Sequence, residues 1–122
     1  MAYLTRQLIC QRLRLGRRQS YRIVFPSYGP LINDSEVVHL LNDARRSIPE
    51  PFTMLPSDLM TPEELAADPE LNGAISAHRL LVWTRRRKNI PPHFRLTTHT
   101  IRFSRSLFFN WLSRRSRIKR NY

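Results

Sequence analysis

Every acidic residue of this 122-residue chain lies between Asp34 and Glu70. Residues 1–33 carry six Arg and no acid. Residues 34–70 carry all nine acids against Arg45 and Arg46, and residues 71–122 carry eleven Arg, two Lys and no acid. The segments therefore bear +6, −7 and +13, which together give the net charge of +12. A chain divided in this way has two routes to a fold without electrostatic conflict. The acidic middle can close onto its basic flanks, or the flanks can face a polyanion from which acids have been kept away. The two routes are compatible.

The length suits one small domain with arms, large enough for a modest core. The apolar fraction of 41% is lean against the ~45–50% of ordinary domains, which leaves room for segments that order on a partner. A single Cys excludes a disulfide framework and a Cys-rich zinc site. The longest uncharged run, Ile23 to Asn33, contains two prolines, and no stretch reaches the ~18 apolar residues of a membrane span. The basic residues are nineteen Arg and only Lys88 and Lys119. Arginine offers a planar fork that binds phosphate and stacks on bases, a preference of RNA-binding surfaces. A GC-rich or overprinted gene produces the same bias without selection for binding.

Met1–Gln19 is Arg-rich and acid-free, with Leu4, Leu8 and Leu15 near one helical face, a composition that fits a mitochondrial presequence as well as an ordinary helix. The alternation Leu13-Arg14-Leu15 and the β-rich Tyr21–Phe25, around Gly16–Ser20, suggest a hairpin. Leu13–Val24 resembles the opening hairpin of one bacterial small-subunit ribosomal family over that length alone. Its glycine is displaced, nothing downstream continues the likeness, and no residue role is carried over. Arg17-Arg18-Gln19-Ser20 has basophilic-kinase spacing, so a phosphate on Ser20 would lower the local charge.

Asn33 and Glu36 have capping-box spacing ahead of a helical stripe Val37, Val38, Leu40, Leu41, Ala44. Pro49, Pro51 and Pro56 make Ser47–Asp58 irregular. Thr61-Pro62-Glu63-Glu64 is a helix start, with a hydroxyl cap, Pro at the first position and acids in the first turn. Asp68-Pro69-Glu70 repeats it and predicts a helix over about Pro69–Lys88, with Leu71, Ala74, Ile75, His78, Leu81 and Val82 on one face. Pro91-Pro92 ends it. Phe94–Phe103 reads as a strand or extended arm, and Ser104 begins a last helix to about Lys119. The expected fold is mainly α, with a small α+β arrangement as the alternative: short helices, one N-terminal hairpin or arm, and basic termini partly extended. Three regions follow: a basic arm or hairpin over 1–33, a small helical core with an acidic middle over 34–103, and a basic amphipathic helix over 104–122.

Signatures of catalysis are absent from the sequence. Gly16, Gly29 and Gly73 make no phosphate-cradling loop, Cys10 has no thiol partner, and His93 and His99 lack the further ligands zinc requires. Glu63-Glu64 is explained by the helix start. No catalytic residue, metal, cofactor or small-molecule substrate is expected.

The informative residues are basic and aromatic. Candidate nucleic-acid contacts are Arg85, Arg86, Arg87, Lys88, Arg102, Arg105, Arg114, Arg115, Arg117, Lys119 and Arg120, with Trp83, Phe103 and Trp111 as candidate stacking platforms. Helical spacing also fits Leu107, Phe108, Trp111 and Leu112 as core. The expected partner is nucleic acid, RNA ahead of DNA, in a non-enzymatic role such as a component of an organellar ribosome or a larger ribonucleoprotein. The alternative is a viral accessory protein from an overlapping frame. It would act on a host protein or membrane surface through the amphipathic C-terminal helix. Either reading places the chain inside a cell rather than in secretion. The clusters Arg85–Lys88 and Arg114–Arg120 match basic nuclear-import patches, and the N-terminus points to the mitochondrion.

Overall fold

The structure, a computed structural model, describes residues 3–20, 23 and 31–120, and of Arg17, Ser20 and 116–120 the backbone alone. Strand β1 (Tyr3–Thr5) leads into helix α1 (Arg6–Leu13) and the short α2 (Arg17–Ser20). Strand β2 (Leu31–Asn33) pairs antiparallel with β1, setting Leu4 opposite Ile32. Helix α3 (Asp34–Ala44) and strand β3 (Arg45–Arg46) follow, then an irregular passage to β4 (Leu59–Met60). Helices α4 (Pro62–Ala66) and α5 (Ala77–Trp83), the hairpin β5 (His93–Thr97) and β6 (Thr100–Ser104), and helix α6 (Arg105–Arg120) complete it.

The chain is an α+β fold with two antiparallel sheets, not a mainly helical one. Three local reasons account for the difference. The helix expected from Pro69 begins only at Ala77, because Asn72 (φ 48°) and Gly73 (φ 73°) both stand in the left-handed region and turn the chain. The Thr- and aromatic-rich segment folds back on itself as β5–β6 rather than extending as an arm. The two-residue strands β3 and β4 then join the edges of that hairpin, in the order β3-β5-β6-β4.

Of the hairpin expected around Gly16–Ser20, the first strand does not form, and the second, Tyr21–Phe25, lies outside the described residues except for Ile23. Thr5 caps α1 by accepting from Leu8 N (3.1 Å). Arg14 (φ 56°) closes α1 in the left-handed conformation, its N–H directed to Cys10 O and Gln11 O. Arg17–Ser20 is helical, and Tyr21, Arg22 and Val24 lie outside the described residues. The last helix, expected from Ser104 to about Lys119, runs over Arg105–Arg120, so the C-terminal basic run is helical and not partly extended.

Side-chain alternation along a strand sends neighbours to opposite faces, and this divides the core in two. Phe94 and its cross-strand partner Arg102 face α1 and α3, where Ile9, Leu13, Ile32, Val37, Leu41 and Leu59 are buried. Ile101 and Phe103 face the other side, with Leu65, Leu71, Ile75, Leu80, Trp83 and Phe108. The irregular passage after β3 is fixed rather than loose. Ile48, Phe52 and Leu55 pack on the first cluster, and the Asn42 amide both donates to Phe52 O (3.0 Å) and accepts from Phe52 N (2.7 Å). Among the described residues no helix is long and apolar enough to cross a membrane.

Candidate nucleic-acid interface

The site is built from two short helices, the turn between them and the hairpin that follows. Helix α4 starts with a capping box: Thr61 Oγ1 accepts from Glu64 N and Glu64 Oε1 accepts from Thr61 N, both at 3.0 Å, with Pro62 in the first turn. Glu64 also receives the Arg14 guanidinium, which forms a hydrogen-bonded ion pair with it from the end of α1. That bond from Arg14, helped by those from Thr61 and opposed by burial, holds the Glu64 carboxyl down at about 2.

After α4 the chain turns through residues 67–76. Asp68 Oδ1 accepts from Glu70 N (3.0 Å) and pins the first part of the turn. Asn72 and Gly73 reverse it, and Ser76 Oγ accepts from Arg79 N (3.1 Å) to cap α5. Leu80 and Trp83 face inward and are buried. The opposite arc presents His78, Arg79 and Val82, all exposed, and Val82 keeps 46% of its surface in solvent. Arg85 extends that arc, since residues at i, i+3, i+4 and i+7 share a helix face; its N–H still bonds to Val82 O (3.1 Å). The expected apolar face is therefore inverted at His78 and Val82, while Leu80 supplies the anchor.

Arg85, Arg87 and Lys88 are exposed beyond α5. Asn89 (φ 55°) then redirects the chain toward β5. At the hairpin tip Thr98 and His99 are exposed. The tip is braced by Thr97 Oγ1 donating to Thr100 Oγ1 (2.8 Å) and Arg95 Nη1 donating to Thr98 O (3.1 Å).

The other candidate residues divide sharply. Arg102 is 4% exposed; its guanidinium donates to Leu13 O (2.9 Å), Ile101 O (2.7 Å), Arg14 O (2.6 Å) and Gln19 Oε1 (3.1 Å). It joins the hairpin to the end of α1 and faces no partner. Phe103 is fully buried between His93 and Phe108, so it offers no stacking surface. Trp83 is buried, with Arg86 and Arg115 both over its ring. Trp111 is half-buried against Phe108 and lines a cavity of about 150 Å³ with Leu107, Asn110, Arg114 and Ile48. Arg105 is tied to Asp68 by two bonds (2.7 and 3.3 Å) and to Glu70 at 3.2 Å. Arg114 is exposed, and the side chains of Arg117, Lys119 and Arg120 lie outside those described.

The chain matches no family model, no curated protein and no solved structure. What the site can do is therefore a question of its own geometry. Of the acids near it, Glu64 is engaged by Arg14, and Asp68 and Glu70 by Arg105, while Glu63 stands exposed on α4. Asp58 accepts from Ser106 N (2.9 Å), Ser106 Oγ (2.6 Å) and Ser104 Oγ (2.9 Å) at the start of α6. Burial works against its charge, but the Ser106 and Ser104 bonds prevail and lower its pKa. The face of α5 is left basic and apolar. Among the described residues no cluster of His, Cys, Asp or Glu could hold a metal ion.

Sequence reasoning passed over Ser76, His78, Arg79 and Val82 as contacts. The signal that finds them is Asn72-Gly73, a turn dipeptide, followed by Ser76 in capping position.

Proposed function

We propose that this is a non-enzymatic, duplex DNA-binding protein that lays α5 in the major groove, with the β5–β6 tip beside it. The observation that carries this reading is the outward face of α5. A helix capped by Ser76 and seated on the core by Leu80 and Trp83 presents His78, Arg79, Val82 and Arg85 to solvent in a segment without acids. Two helices joined by a turn, the second exposing Arg79 with Arg85 just past its end, make a helix–turn–helix arrangement, whose second helix fits a B-form major groove. The connection over 67–76 is longer than the usual few residues.

The preference moves from RNA to duplex DNA for two reasons. A single strand needs open aromatic platforms; Phe103 and Trp83 are enclosed, and Trp111 is half-buried against Trp83 and Phe108. Duplex RNA has a major groove too narrow for side chains to read. The membrane alternative needs the apolar side of α6 in lipid, yet Phe108 is buried and Phe109, Trp111 and Leu112 pack on the second cluster. A DNA-binding role implies a compartment that holds DNA, the nucleus or the mitochondrion.

The test is binding of the full chain to a labelled duplex and to its separated strands, followed by selection from a randomised duplex pool. The duplex is expected to bind more tightly. If about five phosphates are neutralised, log K should fall with log salt at a slope near −4.5. The selected consensus should weaken in Arg79→Ala by the ~1–3 kcal/mol of one base contact. Equal affinity for duplex and single strand, or a consensus indifferent to Arg79→Ala, refutes the proposal.

A further inference from the structure

Two cations converge on one aromatic ring at the end of α5. The Arg86 Cζ stands 5.0 Å from the centre of the Trp83 ring. The Arg115 Cζ, reaching across from α6, stands at the same 5.0 Å. The two guanidinium groups are therefore at most twice that distance apart. Arg115 also lies 5.4 Å from the Trp111 ring, and the two indoles are 5.9 Å from each other. Trp83 is anchored in the second core cluster, so the surface on which both arginines rest is fixed. The arginines themselves are half-buried.

Among the described residues neither arginine has a carboxylate partner; the ion pairs run to Arg14 and Arg105 instead. The ring quadrupole attracts each cation separately. It does nothing to relieve their mutual repulsion. One anionic group received by both would relieve it, and the guanidinium fork matches phosphate oxygens in pairs. Resting on indole also removes rotamer freedom before the ligand arrives, which lowers the entropic cost of binding.

We infer that Arg86 and Arg115 form a preset clamp for one phosphodiester of the DNA backbone. The clamp rests on the duplex reading above and adds a backbone anchor to it. Arg86 follows α5 directly and Arg115 reaches it from α6, so the clamp sits just past the C-terminal end of α5. Contacts of this class fix register and orientation without reading sequence.

Salt titrations of the full chain on a duplex of fixed sequence test it, with Arg86→Met, Arg115→Met and the double variant. One shared phosphate stays neutralised while either arginine remains, so each single variant should weaken binding with little change in the log K against log salt slope, and the double variant should flatten the slope by about 0.9. An unchanged slope in the double variant overturns the clamp. A loss twice as large in the double variant overturns the sharing of one phosphate.

A second measurement avoids removing charge. In Trp111→Phe, where Trp83 is the sole indole, inorganic pyrophosphate should shift Trp83 emission saturably, and chloride at equal ionic strength should not. Identical responses to the two salts overturn the clamp. Arg79→Ala in the same titrations reports separately on α5. If duplex preference fails while the pyrophosphate response holds, the groove reading falls and the clamp stands.

Discussion

His93 is a titratable group enclosed in the sheet, 2% exposed. Its Nδ1 pairs with Pro91 O (2.9 Å), and its Nε2 has no hydrogen-bond partner among the described residues. Burial, joined by the charges of Arg95 and Arg46 and opposed by the Pro91 carbonyl, lowers its pKa below the ordinary 6.5. The folded chain therefore keeps His93 neutral where the unfolded chain already takes up a proton. Stability linked to this group is complete above about pH 6.5. It is lost as pH falls from there through the folded-state value. Glu64, held at about 2, remains ionised at pH 5 and does not contribute there. Thermal melts at pH 7.5 and pH 5 should show a drop in Tm that narrows in His93→Phe. The same drop in both chains would assign the acid sensitivity elsewhere. Arg102 is the other enclosed charge, and no residue-by-residue reading finds its role. It is bonded to carbonyls of Leu13 and Arg14, 89 and 88 residues away in sequence, and only the assembled hairpin brings them together.

Legibility at the element level depended on how local the determinants are. Helix α4 was readable because Thr61, Pro62 and Glu64 specify its start within four residues, and the observed capping box uses those groups. Asn33 likewise caps α3, through Ser35 N at 3.1 Å. Strands β3 and β4 were not readable, since two residues are too few to show alternation and their partners lie in a distant hairpin. Helix α5 was misplaced because apolar residues at Leu71 and Ile75 imitate helical spacing, although they reach the second core cluster from a turn. The candidate contacts followed the same rule. Basic runs were visible, whereas the burial of Phe103 and Arg102 depends on packing. Two substitutions test the observed boundary. Gly73→Ala meets no atom within 4 Å of its new Cβ, so its cost should be the left-handed backbone alone, ~1–2 kcal/mol. Ser76→Ala removes the α5 cap and should cost ~0.5–2 kcal/mol, with duplex affinity falling as α5 frays. Urea midpoints for the two variants measure both costs. No change in either would mean that α5 does not begin where Ser76 places it.

Across the whole molecule, the charge partition becomes an arrangement in space. Among the described residues, the ion pairs Arg14–Glu64, Arg105–Asp68 and Arg105–Glu70 each join an acid of the middle segment to an arginine of a basic flank. These contacts hold α1 against α4, and the turn after α4 against α6. They use arginines away from the outward face of α5, so internal neutralisation and external basicity coexist on separate surfaces. Arg105 shows the consequence most clearly. Its guanidinium is engaged by two carboxylates and rests 4.7 Å from the centre of the Phe109 ring, and the bonds to Asp68 and then Glu70 raise its pKa. Replacing Asp68 by Asn and Glu70 by Gln together keeps the side-chain shapes and frees one cation for a polyanion. Elution from heparin should then move to higher salt, and the salt slope on duplex DNA should steepen by up to about 0.9 if Arg105 reaches a phosphate. Tm should fall in the same variant, because a paired, partly buried link between α6 and the turn has been lost. Arg105→Gln separates the two effects: it removes the same link without freeing a cation, so Tm should drop while heparin elution does not advance. Unchanged heparin elution in the Asp68, Glu70 variant would mean that these acids act only as structural ties and do not keep Arg105 from the partner.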